Sequence, residues 1–503
     1  MAKTMSKTMS FSITIQHDFP EVIAEIKVST QFDARETSAT EFPTLFRTRS
    51  VWRKTSGYPV TEPSTIQPPE ASMENCGLPP IMEGMGSLAF GLIMQRIQSV
   101  PSLNQLALII SCESLSIPPT LVSFPTQIIS AVQRNGVECM DVAGDWIVTG
   151  GKNGKLRLDR WPKSDPTNVH HQPRLGRGHL SDLTSCQFFP SGEVILTTSI
   201  DMSARIFSIH PDPHKPNSSQ DTPILMMNPR SFAAPHGRGV SAAGIIGKGR
   251  EIVTACRDGK LRIWNVAESR VAVEESWPDS SSTAVLAIRV AEKRFLDPTG
   301  NSLPSSIESR DQNNRLFLVL ALSSGVLHFV DLPSLKPITL RKSLPTDQSN
   351  SPVEAIAVSR SSDLVAWGTR SGTVGVATLN WHLSPTSSCC SSSSVNVEEE
   401  EEEAESLSLV PLASWQRTTA AVNSLEFVED GTALLVAGDD GLPYRISIGT
   451  QPVILEEFAG YNCDPVSAIR SSSAYRQVFA AGKDGNVLVW NSPSSPLPSV
   501  TKI

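Results

Sequence analysis

Between Glu251 and Asn265 the chain twice runs as an alternating strand, with apolar Leu261 and Ile263 set against Lys260 and Arg262. An Arg-Asp-Gly turn at 257–259 joins the two halves, and Trp264-Asn265 ends the second. His236 stands 22 residues before Asp258, and Trp264 follows that Asp by six. The preceding stretch keeps the same ruler: His179 to Asp201 is again 22, with Phe207 six further on. Two matching sets of spacings mark an internal repeat.

The pattern predicts a blade of four antiparallel strands, recurring about every 40–60 residues and closing on Trp-Asp or Trp-Asn. A single blade cannot bury both faces, so blades must stack around an axis. The expected fold is therefore all-β, a seven-bladed WD-repeat β-propeller. Blade one begins at Gly136, with Asn153 at its turn and Asp159 where a Trp is expected. Blades two and three are the pair above. Blade four, between Ala284 and Asp331, has Ser324 at its turn and a polar insertion near 297–314. Blade five runs from Val353 to Leu379 with Ser371 at its turn, and blade six from Trp415 to Ser447 with Asp440-Gly441. Blade seven ends in AAGKDGNVLVWN, where Asp484 again precedes Trp490 by six.

After Trp490 come only NSPSSPLPSVTKI, too rich in Pro and Ser for an outer strand. Closure is expected to borrow that strand from Leu121–Val132, which removes an open sheet edge. The propeller is thus placed at 117–495, after an N-terminal region, 1–116, without repeats and of unassigned fold. Within that region Gly86–Ser116 fits either a helix or a strand pair. Ser384–Ser408, SPTSSCCSSSS followed by glutamates, reads as a disordered surface insertion.

Net charge is −8, but Glu398–Glu403 and Glu405 supply seven of those charges, leaving the rest near −1. The chain therefore carries no basic footprint for nucleic acid. The eight cysteines include no CxxC pair, and Cys139, Cys186 and Cys256 fall in predicted strands, as small hydrophobes of a reducing compartment. The opening MAKTMSKTMSFSITI lacks an apolar signal core, and Leu88–Val132 is broken by charges and prolines. A soluble, intracellular chain without membrane association is expected.

Candidate chemistry is sparse. His179 with Asp201, and His236 with Asp258, could be dyads, but in WD repeats such residues join a strand hydroxyl and the Trp in a structural network. Ser199 is the hydroxyl expected in blade two, Cys256 its replacement in blade three, and Trp264, Asp440, Asp484 and Trp490 fill equivalent places. His170-His171 and His210 with His214 lack partners at zinc spacing. GGKNGK at 150–155 and GIIGKGRE at 244–251 do not fit a phosphate loop. No GxSxG or HExxH occurs, so no enzyme, cofactor or metal is expected. Trp264-Asn265-Val266-Ala267 and Trp490-Asn491-Ser492-Pro493 lack the Trp-Asp-x-Arg of ubiquitin-ligase receptors, and residues 1–60 lack heptads.

Three segments, GHLSDLTSCQFFPSGEVILTTSIDMSARIF (178–207), GKGREIVTACRDGKLRIWN (247–265) and Cys463-Asp464-Pro465-Val466 with Lys483-Asp484-Gly485, together resemble the proteasomal ATPase-associated factor family. The resemblance covers Gly136–Trp490 and is specific in blades two, three and seven. It implies a monomeric, non-catalytic chaperone of the cytoplasm and nucleus. Its partner would be an AAA ATPase subunit of the proteasome regulatory-particle base. The alternative is a WD-repeat scaffold in another assembly pathway, such as ribosome biogenesis. The residue before each turn Asp should face outward on one rim: Lys152, Ile200, Arg257, Ser323, Arg370, Asp439 and Lys483. Four of these seven are cations, and Lys152, Arg257, Arg370, Asp439 and Lys483 are the expected protein-binding residues.

Overall fold

The computed structural model describes residues 117–491 except 131, 162–172, 211–223, 226–229, 233–237, 277–282, 295–313, 333, 343–350, 383–405, 462–463 and 473–475, and four short strands upstream. Among the described residues there is no α-helix, only two single 3₁₀ turns at Lys152–Gly154 and Glu429–Gly431. The strands form seven antiparallel blades, as the repeat predicts. Their innermost strands are Val137–Ala143, Leu183–Phe188, Val240–Ile246, Val285–Arg294, Val353–Val358, Val422–Val428 and Val466–Ser472.

The blades are copies of one another down to register. Every innermost strand shifts register after its first residue, as between Val137 and Cys139 or between Val466 and Ala468. Such a bulge adds twist where the strand meets the central channel. The residue six beyond each turn position lies opposite one apolar residue of the second strand: Asp159 on Ile147, Phe207 on Ile195, Trp264 on Ile252, Val330 on Leu318, Ala377 on Val365, Ile446 on Leu434, and Trp490 on Val478. Hydroxyls and an amide at the second innermost position tie neighbouring blades together. Thr184 donates to the Val240 carbonyl, Ser241 to Val285, Asn423 to Val466 and Ser467 to Val137.

Closure is made by the chain upstream of blade one. Gln127–Ile129 pairs antiparallel with Val487–Val489 as the fourth strand of blade seven. Ile129 and Val132 then pack with Val137, Met140, Trp161, Phe479, Val487 and Val489, sealing the first blade to the last. Trp161, two residues past the position where the repeat spacing puts a Trp, meets Phe479 edge-on at 5.4 Å and donates its indole N–H to Gln477 at 2.7 Å. Asp159 itself is buried and held by two hydrogen bonds from the Arg157 fork, at 2.8 and 2.9 Å.

The strand Ile117–Ser123 runs parallel to Ile454–Phe458 of blade six, and Ala107–Cys112 and Leu92–Arg96 extend that sheet outward. Gly86–Ser116 therefore contains a strand pair. Most of the Ser/Glu-rich stretch lies outside the described residues, but Ser406–Ser408 begins the outer strand Ser406–Gln416 of blade five. Alternating Leu407 and Leu409 are buried there, which explains why strand order resumes before Ser408.

Candidate functional site: the rim of the turns between second and third strands

Each innermost strand starts at the rim where the turn between second and third strands also ends. In six blades the residue before the turn position donates its backbone N–H to the carbonyl just ahead of the innermost strand: Ile200 to Asp182, Arg257 to Gly239, Ser323 to Ala284, Arg370 to Pro352, Asp439 to Ala421, Lys483 to Pro465. That bond fixes one ring of outward-facing positions. Lys152, Ile200, Arg257, Arg370 and Lys483 are exposed, whereas Ser323 and Asp439 are half-buried.

The network beneath this rim differs from the expected one by two residues. In blade two His179 places Nδ1 3.0 Å from Asp201 and Nε2 2.9 Å from Thr197, four residues before the turn Asp. Ser199, assigned that role from sequence, instead donates to the Ser181 carbonyl and accepts the Asp201 N–H. In blade three the Trp264 indole donates to Thr254 at 2.8 Å, and the Cys256 thiol meets the Arg238 carbonyl. The reason is pleat geometry. Positions two and four before the turn share a face, about 7 Å apart along the strand, and the imidazole and indole reach the deeper one. Thr149 of blade one holds the same place and is met by Gln133.

His236 lies outside the described residues. Asp258 accepts the Lys260 N–H at 3.1 Å and Asp484 that of Asn486 at 3.0 Å, each bracing its own turn. Thr418 substitutes for the loop His of blade six, donating to Asp440 at 3.0 Å. In blade seven Tyr461, 23 residues before Asp484, donates to the Ala480 carbonyl, while Trp490 donates to Ala459 at 3.2 Å.

Thr197, His179 and Asp201 reproduce the order of a nucleophile–base–acid relay. Thr197 is 0% exposed and the His179 side chain likewise, so no substrate reaches them. Burial holds the His179 imidazole below its usual range, against the pull of Asp201. Burial pushes Asp201 up, but hydrogen bonds from Ser203 and the Leu180 N–H outweigh it and keep the carboxylate low. A neutral imidazole with its proton on Nδ1 facing an ionised Asp201 fits both shifts. The relay is a clamp on the loop.

The rim is less positive than its sequence suggests. Lys152 lies 3.8 Å from Glu138, Arg370 2.5 Å from Glu354 and Lys483 3.6 Å from Asp439. Glu138 and Glu354 come from the second innermost position, which sequence alone does not place at the rim. Among the described residues Arg257 has no such partner. Blade two breaks the turn rule. Six blades put Gly at left-handed φ just after the turn position, namely Gly154, Gly259, Gly325, Gly372, Gly441 and Gly485, but blade two has Met202 at φ 66. That conformation costs a non-Gly residue about 1–2 kcal/mol.

The central channel holds a cavity of about 440 Å³ edged by Asp141, Arg289, Glu426 and Arg470. Two carboxylates and two guanidiniums there sum to no net charge. Among the described residues no three His, Cys, Asp or Glu side chains cluster to hold a metal ion, and no helix is long and apolar enough to cross a membrane. The Gly-rich 150–155 closes a strand-to-strand turn.

The model for the WD domain, G-beta repeat, matches residues 172–208, 230–265 and 453–491. These are blades two, three and seven, the ones whose Asp and aromatic residues keep the repeat spacing. The chain is similar to the WD repeat-containing protein 91 homolog of Dictyostelium discoideum, 22% identical over 330 residues, or 64% of this chain and 34% of that protein. The chain thus spans about a third of the length of the curated relative it matches. Repeat, register and closure together make it a seven-bladed β-propeller with WD repeats in blades two, three and seven.

Proposed function

We propose that this propeller is a non-catalytic chaperone that holds an AAA ATPase subunit of the proteasome base during regulatory-particle assembly. The observation that carries the reading is the family resemblance of blades two, three and seven, whose Gly178-His179 and Arg257-Asp258-Gly259 segments lie on the turn rim. A rim clamped by buried hydrogen bonds keeps one shape with or without a partner, which limits the ordering cost of association. The network residues are spent on that clamp and leave no exposed relay. Arg257 supplies an exposed fork for a carboxylate of the subunit.

Affinity purification of the tagged chain from its own cells, at near-physiological salt, tests this. Enrichment of proteasome-base ATPase subunits without core-particle subunits is the expected result. Enrichment of pre-ribosomal or other assembly intermediates instead would overturn it.

A further inference from the structure

Blade two presents an apolar cluster where the other blades present polar or charged turns. Leu180 is 88% exposed, Met202 44% and Ile200 43%, and they are among the most exposed large apolar side chains described. They come from two loops held as one surface: the Leu180 N–H donates to Asp201 Oδ2 at 2.8 Å, and Asp201 lies between Ile200 and Met202. Exposure of three such side chains together is unfavourable in water and marks an interaction site. Met202 does so from a left-handed conformation that six sister turns give to Gly. Folding alone favours Gly there, so the large side chain points to a use outside the fold.

Two cations border the cluster. A Cβ at Gly239 would lie 2.9 Å from Ile200 Cα, so the blade-three loop abuts the cluster directly. Arg238 and Arg257 on that loop and its turn are exposed. Their backbones are bonded (the Arg238 carbonyl to Cys256, the Arg257 N–H to Gly239), but among the described residues no carboxylate pairs with either guanidinium. Lys152, Arg370 and Lys483 elsewhere on the rim are each within 4 Å of one.

We propose that Leu180, Ile200 and Met202 with Arg238 and Arg257 form the docking site for a short acidic segment of a partner protein that carries large apolar side chains. The apolar side chains cover the cluster and the carboxylates meet the two guanidiniums. The inference rests on reading this rim as the partner-binding face, not on which partner uses it.

The test uses the full chain and fluorescence anisotropy with a labelled peptide alternating Glu and Leu. Two controls replace every Leu by Ser or every Glu by Lys. The Glu/Leu peptide is expected to bind about tenfold or more tighter than either control. Met202→Gly should weaken it about tenfold while raising the melting temperature, so lost binding cannot be lost folding. Arg238→Ser with Arg257→Ser should weaken it and flatten its salt dependence, and Val453→Ser, an exposed apolar site on the far blade, should leave it unchanged. Absent binding, equal binding of the Lys control, or an unchanged affinity in Met202→Gly would overturn the proposal. So would a dimer in sedimentation that Leu180→Ser dissolves, since the occupant is then a second copy. A chain that binds the peptide yet enriches no ATPase subunit leaves this site standing and removes the assembly role; the reverse outcome removes the site alone.

Discussion

Truncation separates the strand donor from the region upstream of it. A chain starting at 117 keeps Ile117–Ser123 and the closing strand; one starting at 135 loses both. The lost segment carries Leu121, Val122, Phe124, Ile129 and Val132, each no more than 5% exposed. At ~1.5–3 kcal/mol per fully buried side chain these contribute roughly 8–15 kcal/mol, an upper bound because an unfolded chain already buries part of that area. Also lost are the Thr126 N–H bond to Val489 at 2.7 Å and the Gln133 bond to Thr149 at 3.2 Å. The total is comparable with the whole stability of a typical domain, about 5–15 kcal/mol. Circular-dichroism melts at one scan rate should show the 117 chain melting within a few degrees of the full chain. The 135 chain should lack a cooperative transition or melt far lower. Equal melting temperatures for the two truncations would refute the strand-donor reasoning.

Thr254→Val strands the buried Trp264 indole N–H and should cost about 1–3 kcal/mol in urea unfolding, while Cys256→Ser should cost under about 1 kcal/mol; the reverse ranking would return the network to Cys256. Thr197→Val should destabilise similarly by leaving His179 Nε2 unsatisfied, read in the same unfolding titration. Glu456 is 0% exposed and bonded by Ser123, and burial raises its carboxyl to about 7 against the pull of Arg445. A folded pKa above the unfolded one of 4.5 means the native state holds the extra proton, so this group's contribution falls as pH rises from about 4.5 to 7. Its size is on the order of 3 kcal/mol across that window, and Glu456→Gln should flatten the slope by that amount; identical pH profiles for the two chains would contradict it.

Fold and repeat number were legible because the spacing of turn Asp and aromatic residue is fixed by strand length, and that survives where individual residues do not. Closure was legible from the Pro- and Ser-rich residues after Trp490 and from 121–132 as the available strand donor ahead of blade one. The network hydroxyl was not, since Thr197 and Ser199, or Thr254 and Cys256, occupy the same face and both suit it; side-chain reach decided. A count of four residues back from the turn, shared by Thr149, Thr197 and Thr254, is the signal that finds it. The rim charges were legible only as a list, because Glu138 and Glu354 reach them from other strands. Met202 was open to view in the sequence, where Asp-Gly recurs in blades three, six and seven and Asp-Met stands in blade two.

Hydrogen exchange of the chain alone and bound to a proteasome-base ATPase subunit tests most directly whether the turn rim of blades two and three holds the partner. Protection should appear at 178–182, 199–203, 238–240 and 256–258 and be lost in Arg257→Glu, whose melting temperature stays unchanged. Protection confined to the opposite turns, at 144–145, 191–193, 247–250 and 430–432, would contradict it.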